Sequence, residues 1–439
     1  MKLLFVHENF GEFGGAEVNV RIAASELGAR GYTVGLLYCR ATGRNEARWH
    51  ETFSRCFCLP NQANIEMVEA VLEQFEPDVI YLHNMPDLEV VQALVESRIP
   101  VVRMVHDHSM YCMRTYKYNY FSRRICTRPF SPYCLFPCLA SLGRGTPGGQ
   151  ALKWVSYRRK QREIALNQRC AAFVVYSNYL KDELLRNGFE AAKIEICVPL
   201  RTQCEGGQTT SLSAENLVLF VGQIIRGKGV DVLLKSLALV KTDFHCLILG
   251  DGNHRSYCEQ LSSQLNLSNR VQFRGYVPPT ELKNYYLRAS VFAMSSLWPE
   301  PFGMAGPEAM RYGVPVVAFD AGGISEWLRD GDNGYLVHWK DTERFAARIE
   351  ELLRNKDLAR LMGRRALESI QQYDAARQIN ILEQLFQRVV QYAHASGSAG
   401  VAPACSEPGL ARRQEASAPR ARPNPARIST VDKILAAYD

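Results

Sequence analysis

At 439 residues the chain exceeds what one ordinary hydrophobic core accommodates and suits two domains with a tail. A hydrophobic fraction of 47% argues against a disordered chain, and no apolar run reaches the roughly eighteen residues a membrane-spanning helix requires. The net charge of +7 is modest but uneven: between Arg103 and Cys170 thirteen Lys or Arg stand against two acids, a local charge of +11 that leaves −4 for the rest.

The first apolar run, residues 3–6, is followed at once by His7, Glu8 and Asn9. It is too short for a secretory signal and reads as a first core strand, which points to a cytoplasmic protein. Further short apolar runs follow at 33–38, 79–82, 101–105 and 172–176. A second series occupies 217–221, 245–249, 271–273, 291–294, 314–319 and 335–337. Continuous rather than alternating apolarity predicts strands buried on both faces of parallel sheets, and helical patterns such as 16–30, 230–239 and 342–354 separate them. The expected fold class is α/β, with two doubly wound Rossmann-like domains. Residues 1–200 form the first domain and 215–375 the second. The Gly, Gln, Thr and Ser that replace apolar runs at 199–215 mark the joint. An amphipathic helix at 376–392 is expected to brace the first domain. Residues 394–430, rich in Ala, Pro, Ser, Gly and Arg, read as a disordered tail, with a short helix at 431–438.

Two features of the first domain stand apart. Residues 153–162 make a basic helix candidate with two aromatics, Trp154 and Tyr157. It reads either as an element for an anionic membrane surface or as a solvated helix whose aromatics pack inward. Nucleic acid is not expected, because no binding motif accompanies the charge. Thirteen cysteines in a cytoplasmic chain argue for reduced thiols. Cys112, Cys126, Cys134 and Cys138, with gaps of thirteen, seven and three, are candidates for a four-thiolate structural zinc site. The other reading is a set of thiols packing a long insertion poor in apolar residues.

The residues with most chemistry follow the strand at 291–294. Glu300 lies in a loop between Pro299 and Pro301, and Glu308 in a helix expected to start near Pro307 and stop at Gly313. Backbone N–H groups at a helix start favour phosphate or a polyhydroxylated ligand, and carboxylates beside them accept hydrogen bonds from sugar hydroxyls. Gly222, Gly227 and Lys228 nearly make a nucleotide-triphosphate P-loop, but Gly229 stands where that loop needs a magnesium-binding hydroxyl. Gly14 and Gly15 follow the first strand, where a missing Cβ lets backbone approach a diphosphate or acceptor. Their spacing does not match a nicotinamide-binding loop.

The run from Glu300 through Glu308, Ala309 and Met310 to the strand after Gly313 resembles the donor-site signature of the retaining glycosyltransferase family numbered four. So do Gly222–Gly229, Gly250-Asp251-Gly252, Gly322-Gly323 with Glu326, Asp332-Asn333-Gly334, and in the first half Gly14-Gly15-Ala16-Glu17, Asp78 to His83 and Val105-His106-Asp107. The resemblance covers roughly residues 1–390. It implies the GT-B arrangement, in which the two domains face a central cleft and close over the substrates. It implies that His106 contacts the transferred sugar, that Glu300 and the backbone of Phe302, Gly303, Met304 and Ala305 hold that sugar, and that Glu308 accepts from the donor's ribose. Lys228 matches the family's phosphate-binding lysine. Its usual Arg partner is here Gln223, and Arg226 is the candidate substitute.

The expected activity is retaining, metal-independent transfer of a sugar from a UDP- or GDP-sugar, with no cofactor, to a hydroxyl of a glycan, lipid-linked or surface-polysaccharide acceptor. The expected location is the cytoplasm, with peripheral contact at the inner face of an anionic membrane. Rival readings are a sugar-nucleotide 2-epimerase and a GT-B protein that binds without catalysis.

Overall fold

The computed structural model describes residues 1–12, 14–60, 65–119, 122–144, 152–199 and 215–396. Besides a short parallel pair, Asn9–Phe10 with Arg40–Ala41, the strands in chain order are β1 (Lys2–Val6), β2 (Thr33–Tyr38), β3 (Arg55–Cys58), β4 (Val79–Leu82), β5 (Val101–Val105), the hairpin strands β6 (Leu142–Arg144) and β7 (Leu152–Trp154), β8 (Ala172–Val175) and β9 (Ile194–Ile196). Apart from the hairpin they form one parallel sheet in the order 9-8-5-4-1-2-3. A second parallel sheet, in the order 12-11-10-13-14-15, holds β10 (Leu217–Val221), β11 (His245–Leu249), β12 (Val271–Gly275), β13 (Val291–Met294), β14 (Val316–Phe319) and β15 (Gly334–Val337). Parallel neighbours need long crossovers, and helices such as Gly15–Ala29, Leu88–Glu96, Val230–Leu237 and Thr342–Arg354 supply them.

The continuous apolar runs do become strands closed off on both faces. Leu3, Leu4, Phe5 and Val6 are fully buried, as are Val291 and Ala293 with Phe292 at 1%. β3 and β9 were not legible as strands. Both lie at an edge of the first sheet and are half-exposed, so neither carries a long apolar run. The expected basic helix at 153–162 is shifted. Residues 152–154 are strand β7, and the helix is Tyr157–Asn167, started by Ser156, whose side chain accepts from the Arg159 N–H. Its two aromatics part company: Tyr157 stacks on Phe130 at 4.4 Å, whereas Trp154 is 73% exposed.

Helix Ala375–Ser396 runs back to the first sheet. Arg30 pairs with Glu383, Arg388 with Glu195 at 2.8 Å, and Phe386 packs edge-on to Tyr81. Residues 394–396 belong to this helix, so the expected tail cannot begin at 394; the remainder of the tail, the short helix at 431–438 and the expected joint at 200–214 lie outside the described residues.

The two sheets are tied together. Ser177, which caps helix Asn178–Arg186 by accepting from the Leu180 N–H, also donates to the Pro301 carbonyl at 2.6 Å. Glu326 accepts from Asn178 and from the Tyr179 N–H. From the insertion after β5, Arg123 forms a bidentate pair with the buried Asp231 at 2.8 and 3.1 Å, and Tyr118 packs among core residues of the second sheet.

Candidate active site

In each sheet the strand order reverses beside a central strand, between β1 and β4 in the first and between β10 and β13 in the second. Ligands of such sheets bind beyond the carboxyl ends of the strands at that reversal. Those ends carry His7 after β1, His83 after β4 and His106 after β5. In the second sheet they carry the segment 222–229 after β10 and the Ser295–Glu300 loop after β13.

The second sheet brings a lysine and a carboxylate together. Lys228 Nζ donates to Glu300 Oε1 at 2.6 Å, and the same oxygen accepts from Ser296 Oγ at 2.6 Å and Trp298 Nε1 at 2.8 Å. Glu300 is 3% exposed, so its charge is stabilised by these donors rather than by water. Lys228 also stands 4.9 Å from the Trp298 ring centroid. The backbone leaves no freedom here. Gly229 is left-handed at φ +66°, and a Cβ on it would lie 2.0 Å from the Ser295 carbonyl oxygen. Gly322, at φ +71°, backs onto Glu300 so closely that a Cβ would come within 2.4 Å of its carbonyl oxygen.

The helix after Glu300 spans Ala305–Arg311, two residues earlier than expected. Pro307 fits in its first turn because the first N–H groups of a helix have no intrahelical acceptor. Glu308, in that turn, is half-buried and accepts from the Tyr286 hydroxyl at 3.2 Å. Phe302 and Gly303 are buried, while Met304 and Ala305 are half-buried. Arg226 and Lys228 share a single 3₁₀ turn; Arg226 is half-buried and Gln223 exposed.

The first sheet contributes a different chemistry. His106 is 7% exposed with both ring nitrogens engaged: Nδ1 with the Tyr176 hydroxyl at 2.7 Å, and Nε2 with His83 Nδ1 at 2.9 Å. A sugar contact by His106 therefore requires exchange of one of these bonds. Burial, joined by the neighbouring histidines and Arg103, holds His83 and His106 well below the ordinary imidazole range, and burial lowers His7 as well. All three are neutral at pH 7. Beside them, Gly14 and Gly15 are exposed at the start of helix Gly15–Ala29, and the Gly14 N–H donates to Glu17 at 3.1 Å. A Cβ on Gly15 would meet nothing within 4 Å, so the space above this loop is open.

Several groups that shape the site were not singled out from sequence. His108, fully buried, contacts the Pro299 carbonyl at 3.0 Å and the Tyr111 hydroxyl at 2.7 Å, and so links the first half to the Glu300 loop. Tyr116 packs on Trp298 at 4.8 Å. The signals available were the second histidine of His106-Asp107-His108 and the Ser296 and Trp298 that precede Glu300.

Cys112, Cys126, Cys134 and Cys138 do meet at one small cavity of about 20 Å³. Among the described residues, however, no group of three or more His, Cys, Asp or Glu is arranged to hold a metal ion. Cys138 Sγ instead faces Arg114 Nε at 3.4 Å and Asn119 Nδ2 at 3.8 Å. Burial pushes the Cys112 and Cys134 thiols up. The zinc reading thus gives way to thiols that pack the insertion.

Two doubly wound parallel sheets of this order define the GT-B class of fold. The "Glycosyltransferase Family 4" model matches residues 13–197 and the "Glycosyl transferases group 1" model matches residues 207–369. The chain belongs to this family-4-like group of glycosyltransferases. It is 34% identical over 141 residues to an uncharacterized glycosyltransferase of Methanocaldococcus jannaschii, a match covering 32% of this chain and 36% of that one. It is 36% identical over 163 residues to the D-inositol 3-phosphate glycosyltransferase of Nocardia farcinica, covering 35% and 36%. The matched segment thus spans little more than a third of each of these relatives. Anabaena HepE, solved in complex with UDP and glucose, superposes with a TM-score of 0.68 at 19% identity, over 88% of this chain and 99% of that one.

Proposed function

We propose that the protein is a retaining, metal-independent glycosyltransferase that moves a sugar from a UDP- or GDP-sugar to a hydroxyl of a glycan, lipid-linked or surface-polysaccharide acceptor. The observation that carries this reading is the 2.6 Å Lys228–Glu300 pair beyond the strand reversal of the second sheet. A lysine held there by a carboxylate is placed to turn to a diphosphate, whose charge grows as the glycosidic bond breaks. Arg226, on the same 3₁₀ turn, is the candidate for the second cation that Gln223 does not supply. The nucleotide sugar as donor is supported by the UDP and glucose held by the Anabaena relative of the same fold.

In this mechanism Glu308 accepts from the ribose hydroxyls. Glu300, with the backbone from Phe302 to Ala305, holds the transferred sugar and sets the position of Lys228. His106 contacts that sugar from the first half, releasing Tyr176 or His83 as it does so. The acceptor hydroxyl attacks from the face the diphosphate leaves, and the departing phosphate oxygen takes its proton, so no protein base is needed. The acceptor enters over the open Gly14–Gly15 loop.

The test is a ligand-induced thermal shift with UDP, GDP, ADP and their common sugar conjugates, first in EDTA and then with magnesium. A ligand that binds only the folded state raises its stability by mass action. One responding nucleotide in EDTA, with the response lost in Lys228→Ala and Glu308→Ala, is expected. No response to any of them sinks the reading. Appearance of an epimerised sugar nucleotide without acceptor would transfer it to the epimerase class.

A further inference from the structure

The insertion between β5 and helix Tyr157–Asn167 has two sides. One grips the second half of the molecule through Arg123 and Tyr116. The other carries Leu135, Phe136, Leu139, Leu142 and Trp154, all exposed, with Phe136 at 77% and Trp154 at 73%. These side chains are held out by an ordered backbone. Leu142 and Trp154 are directly paired in the hairpin, the Leu142 N–H donates to the Leu139 carbonyl, and the Ala140 N–H donates to the Cys134 carbonyl. Arg114 fixes the Cys138 and Leu139 carbonyls at 2.6 and 3.1 Å, while Met113, Cys138 and Ala140 turn inward.

The insertion that carries this tip is basic in sequence. From Ser109 to Arg162 the chain holds eleven Lys or Arg and not one Asp or Glu. Among the described residues, carboxylates from outside that stretch pair with Lys117 (Glu183), Arg123 (Asp231), Lys160 (Glu163) and Arg162 (Glu89). Arg124, Arg128 and Arg158 are exposed.

We propose that this tip, residues 135–142 with Trp154, docks the protein on a bilayer containing anionic lipid. Leucine, phenylalanine and tryptophan enter the headgroup and acyl boundary, and the arginines meet lipid phosphates. Charge decides among occupants, since a second copy would bring the same positive surface against itself. The exposed Leu135, Leu139 and Leu142 favour lipid further, since a nucleic acid would find stacking planes only on Phe136 and Trp154. Among the described residues no helix is long and apolar enough to cross a membrane, so the attachment is to one face of the bilayer. The inference stands on the insertion alone, independently of the transferase reading.

The full chain is sedimented with phosphatidylcholine vesicles with and without phosphatidylglycerol. Binding to the anionic vesicles is expected to weaken with added salt. Phe136→Ser with Trp154→Ser should weaken it by about tenfold or more, and Arg158→Glu by a smaller factor. The change in circular dichroism on heating is compared between variants, so that loss of fold is told apart from loss of docking. The proposal is overturned by absence of vesicle binding, by binding indifferent to the double variant, by conversion of a dimer to a monomer in that variant, or by aromatic-dependent binding to RNA in place of vesicles.

Discussion

The two sheets share a topology of parallel strands reversing beside a central strand, yet their strand ends face the cleft with opposite chemistry. The first ends in neutral histidines, His83 and His106 bonded to each other and His106 to Tyr176. The second ends in a charged pair, Lys228 with Glu300, followed in the chain by Glu308 in the first turn of the next helix. Burial explains the first, because an imidazole can shed its charge when desolvated. It cannot explain the second, where three donors keep Glu300 satisfied in a dry setting. The same scaffold thus ends in neutral imidazoles on one side and in a charged pair on the other.

The comparison breaks most sharply if the charged side proves dispensable. Lys228→Ala is expected to lower kcat/KM by roughly a hundred- to thousandfold once the donor is known, and a loss below about tenfold would deny Lys228 its place beside the leaving group. Next in size is the bridge between the halves. Arg123→Met leaves Asp231, 1% exposed, without its partner, and equilibrium denaturation should show a loss of about 3 kcal/mol. A loss within the scatter of ordinary surface changes would mean that the insertion does not hold the second half.

The neutral side is tested by acid. Each of His7, His83 and His106 is held below the ordinary imidazole value of 6.5 in the folded protein. Below that pH the unfolded chain binds more protons, so their contribution is complete above about 6.5 and declines as pH falls toward the folded values. Between pH 6.5 and 5, before most carboxylates titrate, stability should fall by up to about 1.4 kcal/mol per pH unit for each histidine that must stay neutral. His83→Phe should flatten that slope, and an unchanged slope would place the titration elsewhere. The smallest effect is expected from Gln223→Arg. Gln223 is exposed, so the change costs little stability, and it should tighten UDP or GDP binding by about fivefold, near 1 kcal/mol. No change in titration calorimetry would mean that Arg226 already fills the role.

What sequence reading missed has physical causes. β3 and β9 escaped it because edge strands are half-exposed and lack the long apolar run that marks β1 or β13. The basic helix was placed four residues too early because charge marks a solvent face but not the Ser156 cap that starts it. The four cysteines line one small cavity, yet spacing along a loop says nothing of where Arg114 and Asn119 put their donors.

By itself the sequence determined the architecture. Continuous apolar runs separated by helical patterns require buried parallel strands, and the segments around Lys228, Glu300 and Glu308 mark a family. Only the tertiary structure decided the pairings. Lys228 and Glu300 lie seventy-two residues apart and meet because β10 and β13 are neighbours in the sheet, and both His106 nitrogens are taken because β4 and β8 flank β5, bringing His83 to one and Tyr176 to the other. Periodicity records which face of an element is buried, whereas a hydrogen bond between strand ends depends on which strands are adjacent. That adjacency is settled when the sheets assemble.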